Sequence, residues 1–207
     1  MPGNRLDRSV DDESDHVLGP ADAPITLVEY GSYACPYCRA ANERIAEVRD
    51  QFGDRMRYIF RHRPLTGVEI ARRAAELVER APDPKRFWEE HIKLMTRSET
   101  LTEDDLKAVA RDLGVPVDCG PPEDPAVVRA KTRVDADEAS AAASGALITP
   151  TFFINGRRYD GPGTGARLLM RCWARLATGC ARRRSISPAG DRRRVPSCSW
   201  RQSSPSQ

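Results

Sequence analysis

The chain has 207 residues, 30% of them charged and 6% aromatic, which suits one sizeable globular domain and excludes a disordered chain. No stretch approaches the roughly 20 apolar residues that cross a bilayer, so no membrane span is expected. The net charge of +3 hides an asymmetry: residues 163–207 hold ten arginines and one acid, Asp191, a net of +9 that leaves −6 for residues 1–162.

The first fifteen residues are polar and acid-rich, without the apolar core of a secretory signal, so a cytoplasmic location is expected. Residues 1–16 are read as a flexible leader. A turn over Gly19-Pro20-Ala21-Asp22-Ala23-Pro24 then delivers the chain into a buried strand at 25–29. Ile45, Val48 and Phe52 at helical spacing, with Gly53 as a stop, predict a helix over 36–51. Residues 56–60 read as a second strand.

Between residues 65 and 146 nothing reads as a strand, and the segment divides into helices, with a loop at 119–125. Val68, Ala71, Ala75 and Val78 make one apolar stripe, and Phe87, Trp88, Ile92 and Met95 make a second after the break at Pro82-Asp83-Pro84. Thr102 caps a third helix whose first turn is acidic, and Gly114-Val115-Pro116 ends it. Residues 126–144 form an alanine-rich fourth. Strand chemistry resumes at 151–154, and Asn155-Gly156 is a hairpin signal that returns Arg157-Arg158-Tyr159 antiparallel.

Chemistry concentrates in Cys35-Pro36-Tyr37-Cys38, placed where a strand ends and a helix begins. A thiolate in a first helical turn faces unpaired backbone N–H groups and the positive end of the helix dipole. Proline is tolerated there because its missing N–H would have had no helical partner. Zinc needs four ligands, and the chain offers neither a second Cys-x-x-Cys nor a nearby histidine pair, so redox chemistry is expected and metal is not.

Val28-Glu29-Tyr30, the Cys-Pro-Tyr-Cys element and Thr149-Pro150-Thr151-Phe152-Phe153-Ile154-Asn155-Gly156 occur in an order that resembles the DsbA-like branch of the thioredoxin superfamily. Closest in character is the thioredoxin-like domain found alone or fused behind bacterial Na+/H+ antiporters. The resemblance covers residues 16–162. It implies an α/β thioredoxin core at 17–64 and 147–162, interrupted by an all-helical insertion at 65–146.

It also implies a site. Cys35 would attack and Cys38 resolve, the two closing a Cys35–Cys38 disulfide. Pro150 would be a cis-proline facing them, with the Thr149 backbone pairing to an extended substrate and Pro36 and Tyr37 contacting it. Glu29 matches the family's buried acid, whose raised pKa lets it shuttle the proton of Cys38. No cofactor or metal is implied beyond the redox-active disulfide. Protein or glutathione-type thiols are the expected partners, with a possible link to a Na+/H+ antiporter. Pro36-Tyr37 lacks the histidine of strongly oxidising members, which implies a couple nearer the glutaredoxin range of about −200 to −230 mV. The alternative is a redox-sensing or partner-binding module.

The remaining residues read more plainly. His62 is expected at the surface, Tyr33 and Trp88 in packing, and Cys119 as a bystander in a loop. The arginine runs 182–184 and 192–194 lack aromatic interleaving, so no nucleic-acid binding is expected. Residues 163–207, rich in Arg, Ser and Pro and carrying Cys172, Cys180 and Cys198, depart from the family's C-terminal helix. GC-rich codons for residues 169–190, read one base earlier, give a sequence closer to that helix. The tail is therefore expected to be disordered or out of frame.

Overall fold

The computed structural model describes residues 4–118 and 121–161. Cys119, Cys172, Cys180, Cys198 and the tail 163–207 lie outside the described residues. Five strands form one sheet in the order β1-β3-β2-β4-β5, with β1 at His16–Leu18, β2 at Ile25–Gly31, β3 at Met56–His62, β4 at Thr151–Ile154 and β5 at Arg157–Tyr159. Helix α1, Pro36–Phe52, connects the parallel pair β2 and β3, and the other strand pairs are antiparallel. Between β3 and β4 come α2 (Glu69–Val78), α3 (Pro84–Arg97), α4 (Glu103–Leu113) and α5 (Pro125–Ala143). No helix among the described residues is long and apolar enough to cross a membrane.

Both faces of the sheet are covered, so β2 and β3 are buried at every position but their second, Glu29, Arg61 and His62 included. On one face Leu27, Tyr58, Phe60, Phe152 and Ile154 pack with Ile45, Val48 and Phe52 of α1 and with Phe87 and Leu94 of α3. On the other, Val28, Tyr30, Ile59 and Phe153 meet Ala141 of α5, with Leu6, Val10 and Val17 packed against them. Helix starts follow local chemistry. Asp83 accepts the Arg86 N–H at 2.9 Å, Thr102 and Asp105 form a reciprocal capping box, and Asp124 accepts the Ala126 N–H at 2.8 Å. Gly114 ends α4 in the left-handed region at φ 70°.

Two expectations are corrected. Residues 4–16 are not a flexible leader: Leu6 N–H bonds to the Gly156 carbonyl at 3.1 Å, Arg8 pairs with Asp137 at 2.7 Å, and Asp15 is buried against Arg61. β1 ends this segment as an edge strand on β3. The inner stripe of α3 runs through His91 instead of Ile92, which is 52% exposed. One turn of 3.6 residues beyond Phe87 falls at residue 91, where the ring accepts or donates a 2.9 Å hydrogen bond with the Tyr33 hydroxyl.

Candidate functional site

Cys35 occupies the cap position of α1 with an extended backbone (φ −124°, ψ 115°), and Pro36 begins the helix. Its carbonyl accepts from Cys38 N–H at 3.0 Å, and also from the Ser98 hydroxyl at 3.1 Å, which ties the C-terminal end of α3 to the loop. Ser98 lies far along the chain and carried no sequence signal of this contact. Both cysteines are free thiols, and Cys38 is wholly buried, its sulfur accepting from Ser32 N–H at 3.4 Å.

The two thiols differ sharply. A hydrogen bond from Cys38 brings Cys35 down to about 5, against the opposing effect of burial, with Thr149 and the N–H groups of Cys38 and Tyr37 adding to it. The same bond, burial and the nearby Glu29 charge push Cys38 far above the ordinary thiol range. An imidazole in the loop is therefore not needed for a stabilised Cys35 thiolate. A neighbouring thiol and first-turn N–H groups supply the donors.

Across from Cys35 lies the loop leading into β4. The Thr149–Pro150 peptide bond is cis, and the Thr149 carbonyl lies 3.5 Å from the Cys35 sulfur. Beneath, Glu29 is buried in β2. Tyr58 on β3 donates to one carboxylate oxygen at 2.7 Å, while the other oxygen has no hydrogen-bond partner among the described residues. Burial pushes the carboxyl up to about 8, only partly countered by the Tyr58 hydrogen bond, and the Cys35 charge raises it further. Gly31 makes this closeness possible, because an added Cβ would lie 2.5 Å from the Phe60 ring and 2.9 Å from a Glu29 oxygen.

A groove of about 1070 Å³ opens over the pair, lined by Cys35, Tyr37, Leu147, Ile148 and Pro150 among others. Tyr37, Leu147 and Ile148 are 74%, 71% and 67% exposed, so an apolar rim flanks the sulfur. The fold thus brings together Glu29, Cys35, Pro36, Tyr37, Cys38, Thr149 and Pro150. His62, expected at the surface, is instead buried at the end of β3, where its Nε2 meets Glu79 at 2.6 Å. Its position between two arginines suggested solvent, but Glu79, Tyr33 and Phe87 close around it. Tyr33 and Trp88 are buried in packing positions.

Similarity to known proteins follows the same geometry. A family model described as Thioredoxin matches residues 11–170. The Na(+)/H(+) antiporter NhaA of Nitrosospira multiformis is 59% identical over 162 residues, which is 78% of this chain and 26% of that protein. The chain thus spans about a quarter of the length of this curated relative. Oxidised BdbD from Bacillus subtilis matches in structure with a TM-score of 0.68 at 22% identity, over 86% of this chain and 98% of that one. Wolbachia pipientis α-DsbA1 matches with a TM-score of 0.68 at 18% identity, over 84% of this chain and 96% of that one. At such identities the likeness is one of fold, a thioredoxin-like α/β fold of DsbA type.

Proposed function

The chain belongs to the Thioredoxin family, and from that premise we propose that it is a thiol–disulfide oxidoreductase working through Cys35 and Cys38. One observation carries the reading: two adjacent thiols driven in opposite directions, Cys35 down to about 5 and Cys38 up. The first is a thiolate at neutral pH, and the second stays a protonated, shielded reserve.

The Cys35 thiolate attacks one sulfur of a substrate disulfide. The substrate S–S bond breaks, a Cys35–substrate bond forms, and the first substrate sulfur leaves as a thiolate that takes a proton from water. With the Cys35 charge gone in the mixed disulfide, the Glu29 carboxyl loses its own proton more easily, and its ionised form takes the proton of Cys38 as Cys38 attacks the Cys35 sulfur. The Cys35–Cys38 disulfide forms, and the second substrate sulfur is released. The substrate is reduced by two electrons and the dithiol is oxidised by two. Run in reverse, the steps oxidise a dithiol, and no cofactor takes part. The Thr149 carbonyl and the apolar rim of Tyr37, Leu147 and Ile148 suit an extended protein segment, with glutathione-type thiols returning the enzyme to its starting state.

A glutathione-coupled disulfide reductase assay tests this. Turnover should vanish in Cys35→Ser, and Cys38→Ser should accumulate a mixed disulfide visible by mass spectrometry. Full turnover in Cys35→Ser would refute the reading.

A second reading rests on the 59% identity to a protein named as an antiporter. The domain would sense redox state or bind a partner linked to Na+/H+ exchange. Partner binding that persists in the double variant Cys35→Ser/Cys38→Ser would favour it.

A further inference from the structure

A second cluster of reactive side chains lies away from the thiols, at the edge of the sheet under β1. His16 comes from β1, His62 is the last residue of β3, and Glu79 directly follows α2. The Nε2 atoms of both histidines reach the same Glu79 oxygen, each at 2.6 Å. One donor atom from each of the three residues falls within 4.8 Å of the others. His62 and Glu79 are shielded, with side chains 1% and 7% exposed, while His16 is 20% exposed and opens to solvent. Phe87 stacks on the His16 ring and meets His62 edge-on.

From this convergence we propose that His16, His62 and Glu79 form a binding site for a divalent transition-metal cation of the zinc type. Two imidazole nitrogens and one carboxylate oxygen, with no sulfur, suit zinc and its neighbours rather than calcium or magnesium, which take oxygen shells. A cavity of about 260 Å³ borders His16, Glu79 and Phe87, with Asp12, Glu13, Asp15 and Asp83 around it. It gives the cation an acidic entrance and leaves room for a water as the fourth ligand, as in three-residue zinc sites.

Metal–ligand bonds of about 2.0–2.2 Å in a tetrahedron separate donors by about 3.3 Å. The two present contacts therefore widen on binding. His16, on a three-residue edge strand, is placed to move. Each Nε2 gives up its hydrogen, to solvent or by a shift to the Nδ1 tautomer, and turns from donating to Glu79 to ligating the cation. The sequence offered no histidine pair near the cysteines. This set is joined only by the fold, across separations of 63 and 17 residues.

The test uses the full chain with all six cysteines replaced by serine, so that no thiolate competes. After chelator treatment, Zn2+ is titrated and bound zinc per chain is counted by elemental analysis, with affinity read by chelator competition. One Zn2+ per chain and a raised Tm are expected. Affinity should fall at least about tenfold in His16→Gln and about a hundredfold in Glu79→Gln. If the cysteine-free chain does not fold, His16→Gln in the unsubstituted chain should lower the zinc count by one. Less than a tenth of an equivalent bound, or equal binding in both variants, overturns the site and leaves a plain ion pair.

Discussion

Strand β2 sends Glu29 to one face of the sheet and Tyr30 to the other, and β3 does the same with Phe60 and Arg61. On the first face Glu29 has a single phenol donor and an unpartnered oxygen, and its carboxyl rises to about 8. On the second, Asp15 is also buried. There, two Arg61 hydrogen bonds at 2.9 Å, the Asp11 N–H at 2.9 Å, and Arg8 and Arg133 nearby outweigh burial and hold it below the usual carboxylate range. Burial alone drives a carboxylate towards the neutral acid, and a paired guanidinium reverses it. Glu29 is left short of partners, and Asp15 is satisfied. The proposed chemistry falls to the first and stability to the second.

Changes on each face should therefore separate the two properties. The largest effect expected is from Cys35→Ser, which should cut turnover by more than about 10⁴-fold, over about 5 kcal/mol on the barrier, while urea unfolding of the reduced chain at about pH 5, where the thiolate no longer adds stability, moves by less than about 1 kcal/mol. A comparable loss of stability would break the separation. Next, Asp15→Asn leaves Arg61 buried without its charge partner, and should cost about 3–5 kcal/mol in unfolding free energy with kcat/KM of the folded protein unchanged.

Glu29→Gln tests the reactive face from the stability side. The wild-type carboxyl is raised from an unfolded value near 4.5 to about 8. Its stabilisation is thus fully present below pH 4.5 and is lost as pH rises through 8. Relative to wild type, the reduced Gln variant should gain about 3 kcal/mol between pH 5 and pH 8, read from paired urea titrations. A flat difference would mean Glu29 is ionised as an ordinary acid. The smallest effect sharpens the thiol contrast: iodoacetamide alkylation of Cys35 should be flat from about pH 6 to 8 and fall about tenfold per unit below its pKa of about 5. The stability that the Cys35 thiolate adds to the reduced state should be fully present above about pH 9 and lost as pH falls to about 5, because its pKa is depressed on folding.

Local patterns were readable where the chemistry is local. The Thr102–Asp105 box, the Gly114 stop, the Asn155-Gly156 turn and the Cys-x-x-Cys spacing all act within a few residues. What stayed hidden depends on partners far along the chain. Asp7 and Arg8 are anchored by Ser144 and Asp137, so a polar stretch that reads as a leader is in fact a strap. Arg61 looks like a surface charge until Asp15 is placed beside it, 46 residues earlier. His62 looks exposed until Glu79 is brought over it by α2. The Tyr58–Glu29 bond follows from parallel register, which no single strand displays.

The position of β4 has a consequence for synthesis. It lies beside β2 in the sheet, yet Thr149 is 114 residues beyond Cys35. A chain emerging from the ribosome therefore carries both thiols long before it carries the carbonyl that faces them. Until β4 slots in, the nascent polypeptide carries both thiols without the Thr149 carbonyl beside Cys35. The contact between Thr149 and Cys35 is thus tied to the entry of β4, the second-to-last strand among the described residues, and a chain released before residue 149 would lack it.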